Sequence, residues 1–292
     1  MSLVLLLGVL SGGGRALAAT QDTPDASSGS AKQARADKAP VPLPEPRWKG
    51  LPGWLGFATV KSGAKHQQYW TPEHPDARAV LFSDFWKAVP TGTKVTLLST
   101  AGVREGTYLG TSDVHYGCEE NTATLAGFGA AEPLPEGPVW ILPPGSAEGA
   151  TSLPVKEVPA NTLGVALPRG KTAASKDVRA FEAGGLSFLL TKTGKLRGQL
   201  TVYLQGRRVA AKALAKGDMA GSEKTPLNLY DDKMEVDVPR PLAAYQLGQT
   251  GPVVVVLGFR SYEGHHFMLA VRRGDKAELI LEDDEALYFC AF

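Results

Sequence analysis

The chain has 292 residues, enough for one large domain or two modest ones, with 31 basic against 30 acidic side chains. A nucleic-acid-binding protein usually carries a basic excess or a basic stripe, and neither is present here. Glycine (33 residues) and proline (21 residues) both exceed average usage, which favours short strands and many turns over long helices.

The N-terminus has the features of an export signal. Leu3–Leu10 is an apolar run, and Ala16 and Ala18 fit the small-residue rule for cleavage, so residues 1–18 are predicted to be a signal peptide. The run is well short of the roughly 20 residues that span a bilayer. The basic segment that usually precedes such a run is missing, and a start codon further upstream would account for this. We therefore expect a periplasmic or extracellular protein with no transmembrane segment after cleavage.

Residues 19–46 contain Asp, Ser, Ala, Lys and Pro and almost no large apolar side chain. Such a composition cannot bury enough surface to offset the entropy of ordering, so a disordered linker is predicted. Residues 47–145 are predicted to be a β-rich N-terminal half and residues 146–292 a β-rich C-terminal domain, with a boundary at Pro143–Ser146.

Short strands separated by turns are predicted in the N-terminal half, and Ser83–Lys87 predicts a single helical turn. The predicted strands are Phe57–Lys61, Ala79–Phe82, Lys94–Ser99, Gly106–Leu109, Val114–Cys118, Asn121–Leu125 and Pro138–Leu142.

The clearest alternation in the C-terminal half is at Leu196–Leu204, where every second residue is apolar or glycine. A two-residue loop at Gly206-Arg207 would pair Leu204 with Val209 and keep the apolar residues on one face, as a type II′ turn allows. Leu186–Leu190 adds a preceding strand, so these segments predict a three-stranded meander.

The C-terminal stretch is predicted to form a central hairpin. Val253–Leu257 is a continuous apolar run, and His265–Val271 follows it as an alternating strand. A long, turn-rich connection precedes them, with a brief helix or strand at Leu242–Leu247. The predicted fold is mostly β: an antiparallel β-sandwich or open barrel with long turn-rich connections and few short helices.

The two cysteines, Cys118 and Cys290, are a candidate disulfide, because an exported chain folds in an oxidising compartment. The alternative is a pair of buried free thiols. A catalytic or zinc-binding role for Cys118 with His115 lacks a second pair of ligands at the required spacing.

Five ionisable residues are weak functional candidates: His115, Glu119, Glu263, His265 and His266. Adjacent residues on a strand point to opposite faces, so His265 and His266 cannot bind one metal together. The favoured interpretation is a buried His265 and an exposed His266. Glu263 with one of the two histidines could instead form an acid–base pair. No catalytic residue, metal or cofactor is predicted.

The favoured function is that of an exported, non-catalytic binding or envelope-associated module, whose partner would be a cell-envelope component or a glycan and not a nucleic acid. Trp48, Trp54, Tyr69 and Trp70 could form its aromatic surface. The alternative is a secreted hydrolase that uses a Glu/His pair. That alternative requires His115 and Glu119 to converge with Glu263 and the two adjacent histidines.

Overall fold

The computed structural model describes residues 42–48, 50–58, 76–115, 122–215, 226–230, 238–260, 264–281 and 287–288. All of them belong to one compact unit, 41–292. The strands pair antiparallel throughout, which confirms the mostly β prediction. The predicted signal peptide lies outside the described residues, as do Tyr69 and Trp70. No helix among the described residues is long and apolar enough to cross a membrane.

The first half of the described chain forms a closed six-stranded barrel. Its strands are β1 (Trp54–Ala58), β2 (Ala77–Phe82), β3 (Lys94–Ser99), β4 (Gly102–His115), β5 (Thr122–Ala130) and β6 (Gly137–Leu142). They pair in the order β1-β2-β5-β4-β3-β6, with β6 returning to β1. Closure leaves no unpaired strand edge, in contrast to an open barrel.

Strand β4 is one strand of 14 residues and not the two short strands that were predicted. Gly110 reads as a break in the sequence, but in the structure it follows a bulge at Leu109 and is paired with Gly127. A bulge adds one residue and bends the strand without ending it. The prediction of two strands was wrong because an interior glycine does not distinguish a bulge from a turn.

The second half forms two sheets. The first, in the order β12-β11-β10-β9-β8, has the strands β8 (Val155–Val158), β9 (Val178–Ala183), β10 (Leu186–Lys192), β11 (Arg197–Leu204) and β12 (Arg207–Ala215). The second, in the order β16-β15-β14-β13-β7, has the strands β7 (Thr151–Leu153), β13 (Arg240–Gln246), β14 (Val253–Arg260), β15 (Gly264–Arg273) and β16 (Lys276–Leu281). A short strand β17 (Leu287–Tyr288) also pairs with β15. We call the second one the central sheet.

The central sheet is covered on both faces. In β14, Val255 and Leu257 pack against the five-stranded sheet, while Val254 and Val256 pack against the outer surface of the barrel. All four side chains are fully buried. A strand buried on both faces needs apolar residues at every position, which explains the continuous run Val253–Leu257.

The same burial changes the interpretation of β15. Met268 and Ala270, which share the parity of His266, are as fully buried as Leu269 and Val271, which share the parity of His265. The expected division of this strand into an apolar and a solvent-facing side is therefore wrong for its middle part. One side faces the five-stranded sheet and the other faces the barrel.

The β11–β12 hairpin forms, but its register differs from the prediction. Its loop is Gln205-Gly206, and Leu204 pairs with Arg207. Both loop residues have positive φ, 53° and 74°, as a type I′ turn requires. A bulge at Val209 then shifts the partners, so that Val202 faces Ala210. The predicted loop lies one residue too far along the chain, because it was chosen to pair apolar residues with each other in a ladder without a bulge.

Other local predictions agree with the structure. Asp84–Ala88 is a single 3-10 turn, and Leu242–Leu247 lies almost entirely within β13.

The packed part of the chain begins before residue 47, because Leu43 packs against the barrel core.

Candidate binding site at the barrel rim

The 3-10 turn Asp84–Ala88 closes one end of the barrel. Its Trp86 side chain enters the barrel interior and is fully buried. The Trp86 ring lies 5.0 Å from Trp54 and 4.9 Å from Phe128, both edge-on, which is a favoured arrangement for aromatic pairs. The Tyr108 hydroxyl donates a 2.8 Å hydrogen bond to the Trp86 carbonyl. The turn is therefore held by a side chain packed in the barrel core.

Backbone contacts fix the same turn at its start. The Ser83 amide donates to the Thr124 carbonyl at 3.0 Å, and the Ser83 hydroxyl accepts from the Phe85 amide at 3.3 Å. The Ser83 side chain is thus the N-cap of the turn. The chain ahead of Phe85 is bonded to β5, and the chain behind it is packed into the barrel.

Phe85 is 77% exposed. Because Trp86 points into the barrel, its neighbour on the same short turn must point outward. Val103 and Tyr230, the other large apolar side chains that stand exposed among the described residues, are 45% and 40% exposed. Phe85 is therefore an exposed aromatic ring on a backbone that is bonded on both sides.

Charged and polar groups surround this turn. Lys87 Nζ lies 3.3 Å from Asp84 Oδ1 and 3.5 Å from Asp113 Oδ1 at the end of β4. The Thr124 hydroxyl donates a 2.7 Å hydrogen bond to Asp113 Oδ1. We call Asp84, Phe85, Lys87, Asp113 and Thr124 the rim cluster.

The rim cluster keeps its charges at neutral pH. The Thr124 hydroxyl, followed by Lys87, lowers the pKa of both Asp84 and Asp113. One hydroxyl proton serves one carboxylate at a time, and the 2.7 Å contact assigns it to Asp113. The hydrogen bond to Asp84 raises the pKa of Lys87. The cluster therefore presents two carboxylates and one ammonium group at the turn that carries Phe85.

Of the predicted site residues, His115 is the one whose backbone lies at this end of the barrel. It pairs with Thr122 and is two residues beyond Asp113 on β4. Its neighbours in the sequence, Cys118 and Glu119, lie outside the described residues.

The histidines of β15 lie toward the other end of the barrel. The pairing of β1 with β2, of β2 with β5 and of β5 with β4 places Trp54 at the end with the 3-10 turn and Ala58 at the opposite end. The Phe267 ring packs 4.3 Å from Phe57, next to Ala58. His115 and the start of β15 thus occupy opposite barrel ends.

Local contacts on β15 are apolar or within the sheet. The His266 ring is half-buried and stacks on Phe259 at 4.9 Å, with 13° between the planes. The His265 backbone pairs with Arg260 and with Leu287 of β17. Glu263 and Cys290 lie outside the described residues, so the predicted disulfide and the Glu263 acid–base pair stay predictions.

The predicted aromatic surface is not exposed where the structure describes it. Trp54 is only 5% exposed and belongs to the barrel core. Trp48 is half-buried and stacks on Trp140 at 5.6 Å. The most exposed aromatic ring among the described residues is instead Phe85, which was not predicted as a site residue.

A sequence signal for Phe85 exists in the Ser83–Trp86 segment. Ser83 is a typical cap residue before a short turn, and a single turn cannot bury two adjacent aromatic side chains on one side. Phe85 and Trp86 therefore face different sides, and one of them is a candidate for exposure. The sequence does not say which, because that depends on where the barrel interior lies.

Metal binding finds no support within the described ranges. No three His, Cys, Asp or Glu side chains there lie together in a way that could hold a metal ion.

Comparisons of the chain with protein-family models, with curated proteins and with solved structures found no match.

Proposed function

We propose that this chain is an exported, non-catalytic binding module that contacts a cell-envelope or extracellular macromolecule through the rim cluster. The observation that carries the proposal is Phe85, 77% exposed on a turn whose next residue is packed in the barrel core. The apolar run Leu3–Leu10 and the small residues Ala16 and Ala18 support export.

An exposed ring on a fixed backbone favours binding for two reasons. Burying a phenylalanine side chain contributes about 2 kcal/mol from removal of apolar surface from water. Little backbone freedom remains to be lost at Phe85, because Ser83 and Trp86 already hold the turn. Aromatic anchors with these two properties are typical centres of binding surfaces.

The hydrolase alternative receives no comparable support. It requires His115 and the histidines of β15 to share a cleft, and the strands that carry them reach opposite ends of the barrel. Binding is therefore the function that we put forward.

Export is tested with the full-length chain carrying a C-terminal tag. We expect the tagged protein outside the cytoplasm, with a mature N-terminus at Ala19, as determined by N-terminal sequencing. An uncleaved cytoplasmic protein would contradict this part of the proposal.

Binding at the rim is tested by photo-crosslinking in intact cells. A benzophenone amino acid replaces Phe85 in the full-length chain, and the same group replaces Val103 as a matched control, since Val103 is exposed but lies on β4 next to the β3–β4 turn. We expect high-mass adducts from position 85 and none from position 103. Equal adducts from both positions, or none from either, would overturn the rim cluster as the binding site.

A further inference from the structure

Resting on the proposed binding function, we propose that the rim cluster binds an uncharged saccharide chain, with the Phe85 ring stacked against the C–H face of a sugar. Sugars present an apolar C–H face bordered by hydroxyl groups. The electron-rich face of an aromatic ring attracts such C–H groups, and carboxylates accept hydrogen bonds from hydroxyls. The rim cluster supplies both, since Asp84 and Asp113 both contact Lys87, and Asp84 and Lys87 are on the same short turn as Phe85.

The charges of the cluster disfavour anionic ligands. Its two carboxylates outnumber its single ammonium group, and Lys87 already contacts both of them. A phosphate backbone or an anionic lipid surface would meet net negative charge here, and such ligands need basic groups instead. A neutral polymer with many hydroxyl groups meets no such repulsion.

The size of the exposed apolar surface also favours a small ligand unit. A standard protein–protein interface covers about 800 Å² on each partner. Phe85, Val103 and Tyr230 are on separate elements, namely the 3-10 turn, β4 and the segment 226–230. A single exposed ring suits one sugar residue, and a polymer of repeated units compensates for weak binding at each site through multivalency.

The polar groups of the cluster are paired with one another in the absence of a ligand. Thr124 holds Asp113 at 2.7 Å, and Lys87 bridges Asp113 to Asp84. Fixed acceptors lose little side-chain freedom when a hydroxyl group binds. The cluster therefore resembles the ring-and-acceptor chemistry that recognition of sugars requires.

The experiment measures retention of the purified mature chain on insoluble chitin and cellulose and its affinity for soluble oligosaccharides of both. Phe85→Leu keeps an apolar side chain of similar size but lacks the aromatic face, so we expect retention to fall about tenfold. Phe85→Trp should retain binding, because it keeps an aromatic face. Val103→Ala should leave retention unchanged.

Two results would overturn the saccharide proposal. The first is equal retention of the Phe85→Leu and wild-type proteins. The second is no retention of the wild type on either polymer together with position-85 crosslinks whose mass glycosidases do not change and in which mass spectrometry finds peptides of a second protein. The second result would contradict the saccharide proposal but would still support binding at the rim cluster, with a protein as the partner. The absence of position-85 crosslinks would contradict the proposed binding function itself.

Discussion

The Thr124 hydroxyl is the single group with the largest effect on the Asp113 carboxyl, whose pKa lies below its ordinary value of 3.8. In Thr124→Val we expect the pKa of Asp113 to rise toward that value, with Lys87 still holding it slightly lower. A carboxyl with a lowered pKa stabilises the fold above its ordinary pKa and loses that contribution as the pH falls through the folded value. The effect of the variant on stability should therefore fade below about pH 3.8.

Carboxyl-carbon NMR titration of the wild type and Thr124→Val measures this shift. Asp177 serves as an internal control, because its pKa is lowered by Lys171 and not by the rim cluster. An unchanged Asp113 titration in the variant would show that the hydroxyl does not donate to it.

Arg179 on β9 is a buried cation that fastens the segment 226–230. Its guanidinium bonds both oxygens of Glu157, at 3.1 and 2.8 Å, and donates to the Leu229 carbonyl at 2.9 Å. It also lies 5.0 Å from the Tyr230 ring. We expect Arg179→Lys to lower the free energy of unfolding by about 2 kcal/mol, because an ammonium group cannot bind both Glu157 oxygens and the Leu229 carbonyl in this geometry.

Urea denaturation measures the loss of unfolding free energy. The Leu227 amide donates to the Lys195 carbonyl at 2.8 Å, so faster hydrogen exchange at this amide would show that the segment 226–230 has loosened. The matched control is Arg104→Lys, since Arg104 pairs with Glu132 at the surface and should contribute little. Equal losses in the two variants would mean that burial of Arg179 adds nothing.

At the scale of the element, two hairpin loops have the same backbone conformation but different surroundings. The β9–β10 loop is Gly184-Gly185 and the β11–β12 loop is Gln205-Gly206, and all four residues have positive φ. Gln205 shows that the first loop position accepts a side chain. At Gly184, however, a Cβ would lie 2.5 Å from Val253 Cγ1 of the central sheet, whereas nothing lies within 4 Å of a Cβ at Gly206.

We therefore expect Gly206→Ala to cost about 1–2 kcal/mol of stability, from backbone strain alone. Gly184→Ala should cost clearly more, because it adds overpacking against Val253, typically about 1–3 kcal/mol. Thermal or urea unfolding of the two variants measures the difference. Equal losses would mean that the loop moves away from the central sheet without cost.

These elements also show what the sequence can predict. The alternation in Leu196–Leu204 predicted β11 correctly, because one of its faces lies on the core. Strand β9 was not predicted, since Val178 and Ala180 face one core while Phe181 and Ala183 face another, and alternation disappears when both faces are buried. Bulges at Leu109 and Val209 escaped prediction because a bulge has no distinct residue pattern.

At the scale of the whole molecule, the central sheet joins the barrel to the five-stranded sheet. Val254 and Val255 are adjacent and fully buried, yet they pack in different cores. The Tyr245 hydroxyl on β13 also donates to the Pro138 carbonyl of the barrel. Because each core shares this sheet, we expect the barrel, the central sheet and the five-stranded sheet to unfold in one transition.

Val254→Ala and Val255→Ala should each lower stability by about 2 kcal/mol and shift a single unfolding curve. Tryptophan fluorescence reports mainly on the barrel, which holds Trp54, Trp86 and Trp140, and far-ultraviolet circular dichroism reports on all strands. Separate transitions by the two probes, each sensitive to one variant only, would show two independent domains. Whether one transition or two are observed decides if residues 47–145 and 146–292 are separate domains, as predicted from the sequence.

The sequence predicted the central position of Val253–Leu257 because a continuous apolar run of this length is typical of a strand that is buried on both faces. It could not predict the rim cluster, whose members come from the turn at residues 84–88, the end of β4 and the start of β5. Residues from three elements meet there only because the barrel closes in one particular order, and local sequence patterns do not determine that order.

The position of Trp86 inside the barrel has an optical consequence. The Trp54 and Trp86 rings are 5.0 Å apart with 74° between their planes, so their electronic transitions couple strongly and give paired bands in circular dichroism. Because Ser83 and the Tyr108 hydroxyl hold the turn, these bands persist only while Trp86 stays inside the barrel. The protein thus carries its own unlabelled reporter of closure at this end of the barrel, and we expect Trp86→Phe to abolish the paired bands.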